Sequence, residues 1–284
     1  MSSHLKAQIV STVGPSSVLP GVFEKMLAAG ADIARLNFSY GDHVEKKMQI
    51  DVIRNAAKKA GRVVPIIQDL SGPRIQEGKE HGYDSGALEV LTDKDRENIK
   101  FGVAQGIEYI AMSFVGNAGD VEKCRAYVRS CGGQQPIIAK IERKMALENL
   151  DEIIDAADAI MIARGDLGNE VPLEQIPFVQ ADIIRKCKAA KKSVITATQM
   201  MLSMTEKAKP TRAEVTDVAN AILLGSDAVM LSEESASGKF PVEAVDMMHK
   251  IIREAEKRMA DMYKPNMFVH HNMPATSAGG GVIA

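Results

Sequence analysis

Lys140 and Glu142 stand two residues apart in the apolar run PIIAKIE (136–142). Side chains two apart on a strand share a face, so this ammonium and this carboxylate point the same way. The next apolar run leads into Arg164-Gly165-Asp166-Leu167-Gly168, which adds a second carboxylate. Its glycines would let backbone N–H groups approach an anion, and a short helix expected near Val171-Pro172 would place its positive end there. Two carboxylates from adjacent strands, with oxygens from a substrate, are a usual way to hold a hard divalent cation. An ammonium one pleat away could neutralise a phosphoryl group. Other apolar runs end in polar groups too: Ser11-Thr12, then Arg35, Asn37 and Ser39, then Asp69 with Arg74 beyond it. Ser113, Thr198-Gln199 and Ser232 with Glu233 and Glu234 complete the set. Each group has a plainer reading. Arg35 and Asp69 could be a structural ion pair, Lys140 could snorkel from a strand end, and Glu142 could cap the next helix. Arg35, Lys140 and Arg164 could hold phosphate at the strand ends, and they are harder to dismiss together, because long charged residues are seldom buried unpaired.

Positioning these groups falls to eight short runs: 7–12, 32–38, 63–70, 108–114, 136–142, 158–164, 193–198 and 227–232. They lack strict alternation, which suits strands buried on both faces of a parallel sheet. Helix-period segments separate them, and those at 18–30 and 42–61 end in Gly30 and Gly61 as C-caps. Others read at 93–106, 119–130, 146–157, 178–192, 212–225 and 242–259. Eightfold βα alternation predicts an α/β fold, a single-domain (β/α)8 barrel over residues 1–260. An open doubly wound sheet is the competing arrangement. In a barrel, the polar strand ends above would gather at one mouth. Two stretches break the rhythm. Residues 79–87 (KEHGYDSGA) read as a short linker, and 261–284 as a flexible tail.

Composition narrows the partners. The 35 Lys+Arg against 37 Asp+Glu leave a net charge of −2, too little field to hold nucleic acid or an anionic membrane. No apolar run approaches the roughly 20 residues that span a bilayer, and the N-terminus has no apolar core for a secretory signal. Cys124, Cys131 and Cys187 show no metal-ligand spacing, so a reducing cytoplasm is expected. With aromatics at 4% and no Trp, the core must be Ile, Val, Leu, Ala and Met.

Taken in order, the strings STVGPSS (11–17), ARLNFSYGDH (34–43), QDLSGPRI (68–75), AKIE (139–142), MIARGDLG (161–168), TATQMMLSM (196–204) and the long stretch 210–241 resemble the pyruvate kinase family. The resemblance runs from about residue 7 to 258. It implies phosphoryl transfer from phosphoenolpyruvate to ADP, giving pyruvate and ATP in glycolysis, with Mg2+ (or Mn2+) and usually K+. Lys140 would then lie on the transferring phosphoryl, and Glu142 and Asp166 would hold the metal. Backbone N–H groups of Gly165 and Asp166, with the Thr198 hydroxyl, would hold the substrate carboxylate, with Thr198 near the enolate carbon. Arg35 and Asn37 would contact phosphate oxygens, and Ser113 would stand among the substrate-binding groups. Asn37, Ser39 and Asp69 match the monovalent-cation ligands. The family pairs its barrels through the helices after strands six and seven, so a homo-oligomer is expected, with Ile176, Phe178, Ile183 and Ile184 supplying apolar surface.

Four departures qualify this. The family inserts a lid domain after the third strand, where only 79–87 stand here. The tail resembles the first few residues of the family's C-terminal domain. Tyr40 and Gln76 replace the usual His and Arg. Leu70 and Arg74 replace the Thr and Glu of K+-requiring members; members with Leu and Lys there do without K+, so K+ is not expected to be required. Two other readings stay open: a weakened or non-catalytic barrel, and a Mg2+-dependent lyase or aldolase acting on pyruvate.

Overall fold

A computed structural model describes residues 6–77 and 80–262. Eight parallel strands close into a barrel: β1 (Gln8–Thr12), β2 (Ile33–Asn37), β3 (Ile66–Asp69), β6 (Tyr109–Met112), β7 (Ile137–Ile141), β8 (Ala159–Ala163), β9 (Ser193–Ala197) and β10 (Ala228–Leu231), with β10 pairing back onto β1. Each falls inside one of the eight apolar runs. The remaining strands, β4 (Arg74–Glu77) and β5 (Glu80–Tyr83), form a separate antiparallel hairpin. Thus the segment expected to be an irregular linker contains the second strand of a hairpin that begins at Arg74.

Helices α1 (Val22–Ala29), α2 (His43–Ala60), α3 (Asp93–Ala104) and α4 (Ala118–Ser130) follow the first four barrel strands. Gly30 and Gly61 adopt left-handed conformations that close α1 and α2, as expected of a Gly cap. Asp42, Thr92, Asn117 and Thr211 cap the N-termini of α2, α3, α4 and α9 (Arg212–Leu224) through their side chains. The helix expected over 146–157 is broken at Asn149 into α5 (Lys144–Glu148) and α6 (Leu150–Ala156). Unexpectedly, α7 (Arg164–Glu170) begins at the RGDLG stretch itself rather than near Val171; α8 (Ile176–Ala189) comes later. The last elements are α10 (Glu233–Ala236) and α11 (Pro241–Met262). The tail expected from 261 lies outside the described residues beyond Met262.

Strand parity sets the barrel's two sides. Val10, Ile67, Ala111, Ile138, Met161, Ile195, Ala197, Ala228 and Met230 fill the interior. Their neighbours in sequence, such as Ile9, Leu36, Ile66, Ile110, Ile137, Ile141, Ile160 and Ile162, pack outward against the helices. Layers of inward side chains are how such barrels are filled. Carrying the inward parity to the C-terminal ends gives Arg35, Asp69, Ser113, Lys140 and Glu142. Among the described residues no helix is long and apolar enough to cross a membrane.

Candidate active site

A cavity of about 670 Å3 opens at the C-terminal mouth of the barrel. Arg35, Asn37, Ser39, Asp69, Arg74, Ser113, Lys140, Glu142, Gly165, Asp166 and Thr198 all line it. At its floor is a buried charge cluster. Asp69 Oδ2 accepts from Arg35 Nε at 2.6 Å, and its Oδ1 accepts from Lys140 Nζ at 3.0 Å. Lys140 also donates to Ser113 Oγ at 2.7 Å and stands 2.9 Å from Glu142 Oε1. Ser113 donates its own hydrogen bond to the Leu70 carbonyl at 2.7 Å. Arg35 reaches Thr12 Oγ1 at 3.0 Å. The structural ion pair between Arg35 and Asp69 is therefore present, and it forms one side of the cavity.

Burial works against the charged forms of Asp69, Lys140 and Glu142. For Asp69 the cations Arg35 and Lys140 overcome it and hold the carboxyl below its ordinary range. Burial likewise disfavours the charged form of Lys140, but Asp69 and Glu142 outweigh it and keep the amine more basic than usual. Glu142 behaves differently. Burial, helped by the negative charge of Asp166 and opposed by Lys140, pushes its carboxyl up to about 6. A buried carboxylate repelled by a second one is the electrostatic setting that a divalent cation relieves.

Glu142 caps no helix. Its Oε2 accepts the backbone N–H of Phe114 at 2.7 Å. Phe114 has φ 56°, a left-handed conformation that is uncommon for a non-glycine residue. Sequence reasoning singled out Ser113 but not this neighbouring backbone donor, and no local signal reveals a positive φ at a phenylalanine.

Thr198 and Gln199 continue β9 with φ 67° and 53°. For a β-branched residue this costs on the order of 1–3 kcal/mol and persists only when the surroundings impose it. They do so through Arg164. Its Nη2 donates to the Thr198 carbonyl at 2.7 Å, its Nε to the Ala197 carbonyl at 3.3 Å, and its Nη1 to Asp217 at 2.7 Å and Gln180 at 3.2 Å. Arg164 therefore turns outward, away from the cavity, which corrects its sequence reading as a phosphate-holding cation. Arg164→Met should destabilise the fold by about 3 kcal/mol, since it strands a partly buried carboxylate and two carbonyls. Urea unfolding checks this; a loss below about 1 kcal/mol would contradict it.

The Thr198 hydroxyl accepts the Gly165 N–H at 2.8 Å and donates to the Ala197 carbonyl at 2.7 Å. The two groups expected to share a substrate carboxylate thus bind one another here. Asn37 Oδ1 accepts the Ser39 N–H at 3.0 Å. Leu70 is buried in the outer core. Arg74 places its guanidinium 5.6 Å from the Tyr40 ring centre and donates to the Tyr40 hydroxyl at 3.3 Å. Over the mouth lies the hairpin, with Ile75, Gly82 and Tyr83 also lining the cavity.

The sequence matches the family model for "Pyruvate kinase, barrel domain" over residues 4–87 and 85–245. The chain belongs to the pyruvate kinase family. It is 36% identical to "Pyruvate kinase" of Sporosarcina psychrophila, an alignment covering 88% of this chain and 57% of that protein. Against "Pyruvate kinase" of Geobacillus stearothermophilus the identity is 36%, with 89% and 57% covered. Against "Pyruvate kinase" of Thermococcus litoralis it is 37%, with 90% and 71% covered. The chain thus spans little more than half the length of the first two pyruvate kinases. An alignment of 334 positions takes in only 88% of 284 residues, so many of its positions have no counterpart in this chain. The two matched pieces of the pyruvate kinase barrel meet at 85–87, just past the hairpin.

Proposed function

We propose that this chain transfers a phosphoryl group between phosphoenolpyruvate and ADP. The observation that carries the reading is the buried Lys140 ammonium, held by Asp69, Ser113 and Glu142 beside a second carboxylate, Asp166, at the mouth of a pyruvate kinase family barrel. In the forward direction the bond between phosphorus and the enol oxygen breaks, a β-phosphate oxygen of ADP takes the phosphoryl, and the enolate left behind takes a proton at carbon. Lys140 meets the phosphoryl oxygens and offsets the charge that shifts onto the enol oxygen. Ser113 and Asp69 keep the ammonium aimed. Arg35, which shares Asp69 with Lys140, and Asn37 bind phosphate oxygens from β2. Gly165, Asp166 and Thr198 bind the carboxylate once Gly165 and Thr198 exchange their mutual hydrogen bond for substrate, and Thr198 stands near the carbon that is protonated.

The donor set fits a hard divalent cation: Glu142 and Asp166 offer carboxylate oxygens, and Glu142 Oε1 faces Lys140 without hydrogen-bond alignment. Among the described residues no group of three or more His, Cys, Asp or Glu could hold a metal, so a cation held by Glu142 and Asp166 would need further ligands from substrate or water. Mg2+ or Mn2+ bound there would supply positive charge to the transferring phosphoryl group.

The test is pyruvate formation from phosphoenolpyruvate with and without ADP and Mg2+. Strict dependence on both supports the reading, while pyruvate chemistry indifferent to ADP favours a lyase or aldolase. The same reading places the protein in the cytoplasm as a homo-oligomer. Ile176, Ile183 and Ile184 are spent inside the barrel's own core, leaving Phe178 and Leu173 as the exposed apolar residues of that region.

A monovalent cation is not required in this reading. Both Asp69 oxygens are already engaged by cations, Leu70 offers no ligand oxygen, and Arg74 brings a permanent charge to the cavity. Activity in buffer free of Na+ and K+ should change less than tenfold on adding K+. The double variant Leu70→Thr with Arg74→Glu should gain at least tenfold, about 1.4 kcal/mol of barrier. A parent stimulated tenfold would show that Arg74 does not replace the ion.

A further inference from the structure

The hairpin that lies over the mouth has few apolar residues of its own, and Tyr83 joins it to the barrel. The Tyr83 ring packs on Phe114 with centroids 5.6 Å apart and planes tilted by 53°. On Tyr83 also sits the Arg143 guanidinium, 3.6 Å from the ring centre. Both partners adjoin Glu142, Phe114 through a hydrogen bond and Arg143 in sequence. Phe114 supplies the N–H that fixes Glu142 Oε2, and Arg143 follows Glu142 directly and donates to the Phe114 carbonyl at 3.3 Å.

The peptide that aims this N–H is in a left-handed conformation, so something must hold it. One wall is Gly72, at φ 64°, where a Cβ would come within 2.9 Å of the Phe114 ring. Tyr83 packs on the same ring. An aromatic pair of this kind stabilises beyond the area it buries, and a guanidinium over a ring adds to it. Removing Tyr83 therefore takes one restraint from both Phe114 and Arg143, the two residues next to the Glu142 carboxylate.

We propose that Tyr83 is a positioning residue that, through Phe114 and Arg143, holds Glu142 in place for the divalent cation, so that the hairpin and the metal are coupled. This rests on the assignment of Glu142 as a metal ligand. Groups that orient a ligand typically change metal affinity by about 10–100-fold when removed. Coupling is reciprocal, so a bound cation also steadies the hairpin.

The experiment is titration of the full chain with Mn2+ alone, reading free Mn2+ by electron paramagnetic resonance, for the parent, Tyr83→Ala, Tyr83→Phe and Glu142→Gln. Tyr83→Ala should bind about tenfold more weakly. Tyr83→Phe, which keeps the ring, should stay within about twofold of the parent, which a role for the hydroxyl would not allow. Glu142→Gln should lose most of the binding. If Glu142→Gln loses binding while Tyr83→Ala binds like the parent, the positioning role is overturned and the metal assignment stands. If Glu142→Gln itself binds like the parent, the metal assignment falls and takes the positioning role with it. Should Tyr83→Ala not fold by circular dichroism, Arg143→Met replaces it. That variant removes the cation from the Tyr83 ring and the bond to Phe114, and parent-like binding by it would overturn the proposal equally.

Discussion

Lys140→Met is expected to lower kcat for phosphoryl transfer at least a thousandfold, about 4 kcal/mol of barrier, while moving KM for phosphoenolpyruvate far less. The ammonium is buried and held on three sides, by Asp69, Ser113 and Glu142. Such a charge needs no reorganisation when electron density shifts during transfer, and it acts in a site where water screens little. Methionine matches its length but leaves two buried carboxylates each short of a partner. A destabilisation of about 3–5 kcal/mol accompanies the change. Thermal unfolding separates that loss from chemistry, since a folded fraction can be assayed below the midpoint. Lys140→Arg keeps the charge on a bulkier fork and should recover the stability more than the rate. The chain lacks Trp, so substrate binding is better followed by calorimetry than by intrinsic fluorescence. A folded Lys140→Met with kcat within tenfold of the parent would remove Lys140 from the transfer step.

That Lys140 and Glu142 share the inward face was legible in the sequence, because a spacing of two on a strand fixes parity whatever the fold. The barrel was legible for a related reason: strands buried on both faces read as unbroken apolar runs, and Gly30 and Gly61 mark where helices stop. The same parity would have corrected Arg164. On β8, Met161 faces inward while Ile160 and Ile162 pack against helices, so the residue at 164 follows the outward set. Reading its charge before its parity put it in the cavity. The start of α7 was hidden because Arg164–Glu170 contains two glycines, and glycine favours loops over helix interiors. Nothing local announces the hairpin. Its sequence has no alternating apolar face, and what docks it is a tyrosine meeting residues 31 and 60 positions away, Phe114 and Arg143. Long-range contacts between single side chains leave no periodic trace in the sequence.

Glu142→Gln is expected to weaken Mn2+ binding about a hundredfold, ~2.7 kcal/mol. The substitution keeps shape and removes the charge that a hard cation requires. It also disturbs the donors around it. A glutamine whose oxygen accepts from Phe114 N–H turns its amide N–H2 toward the Lys140 ammonium, and the opposite rotamer turns it toward Phe114. One donor is left facing another in either case, at a cost of about 1–3 kcal/mol. Relief from Asp166, whose charge repels the Glu142 carboxylate, works the other way. The stability without metal is therefore a balance of opposed terms, and the decisive quantity is what metal adds. With Mn2+ at a hundred times the parent's Kd, binding stabilises the parent by about 2.7 kcal/mol; at the same concentration a site a hundredfold weaker gains only about 0.4 kcal/mol. Asp166→Asn should give a similar loss while leaving the Phe114 and Lys140 contacts of Glu142 intact, which separates ligand removal from disturbance of those donors. Equal stabilisation of parent and Glu142→Gln by Mn2+ would mean that the cation binds elsewhere.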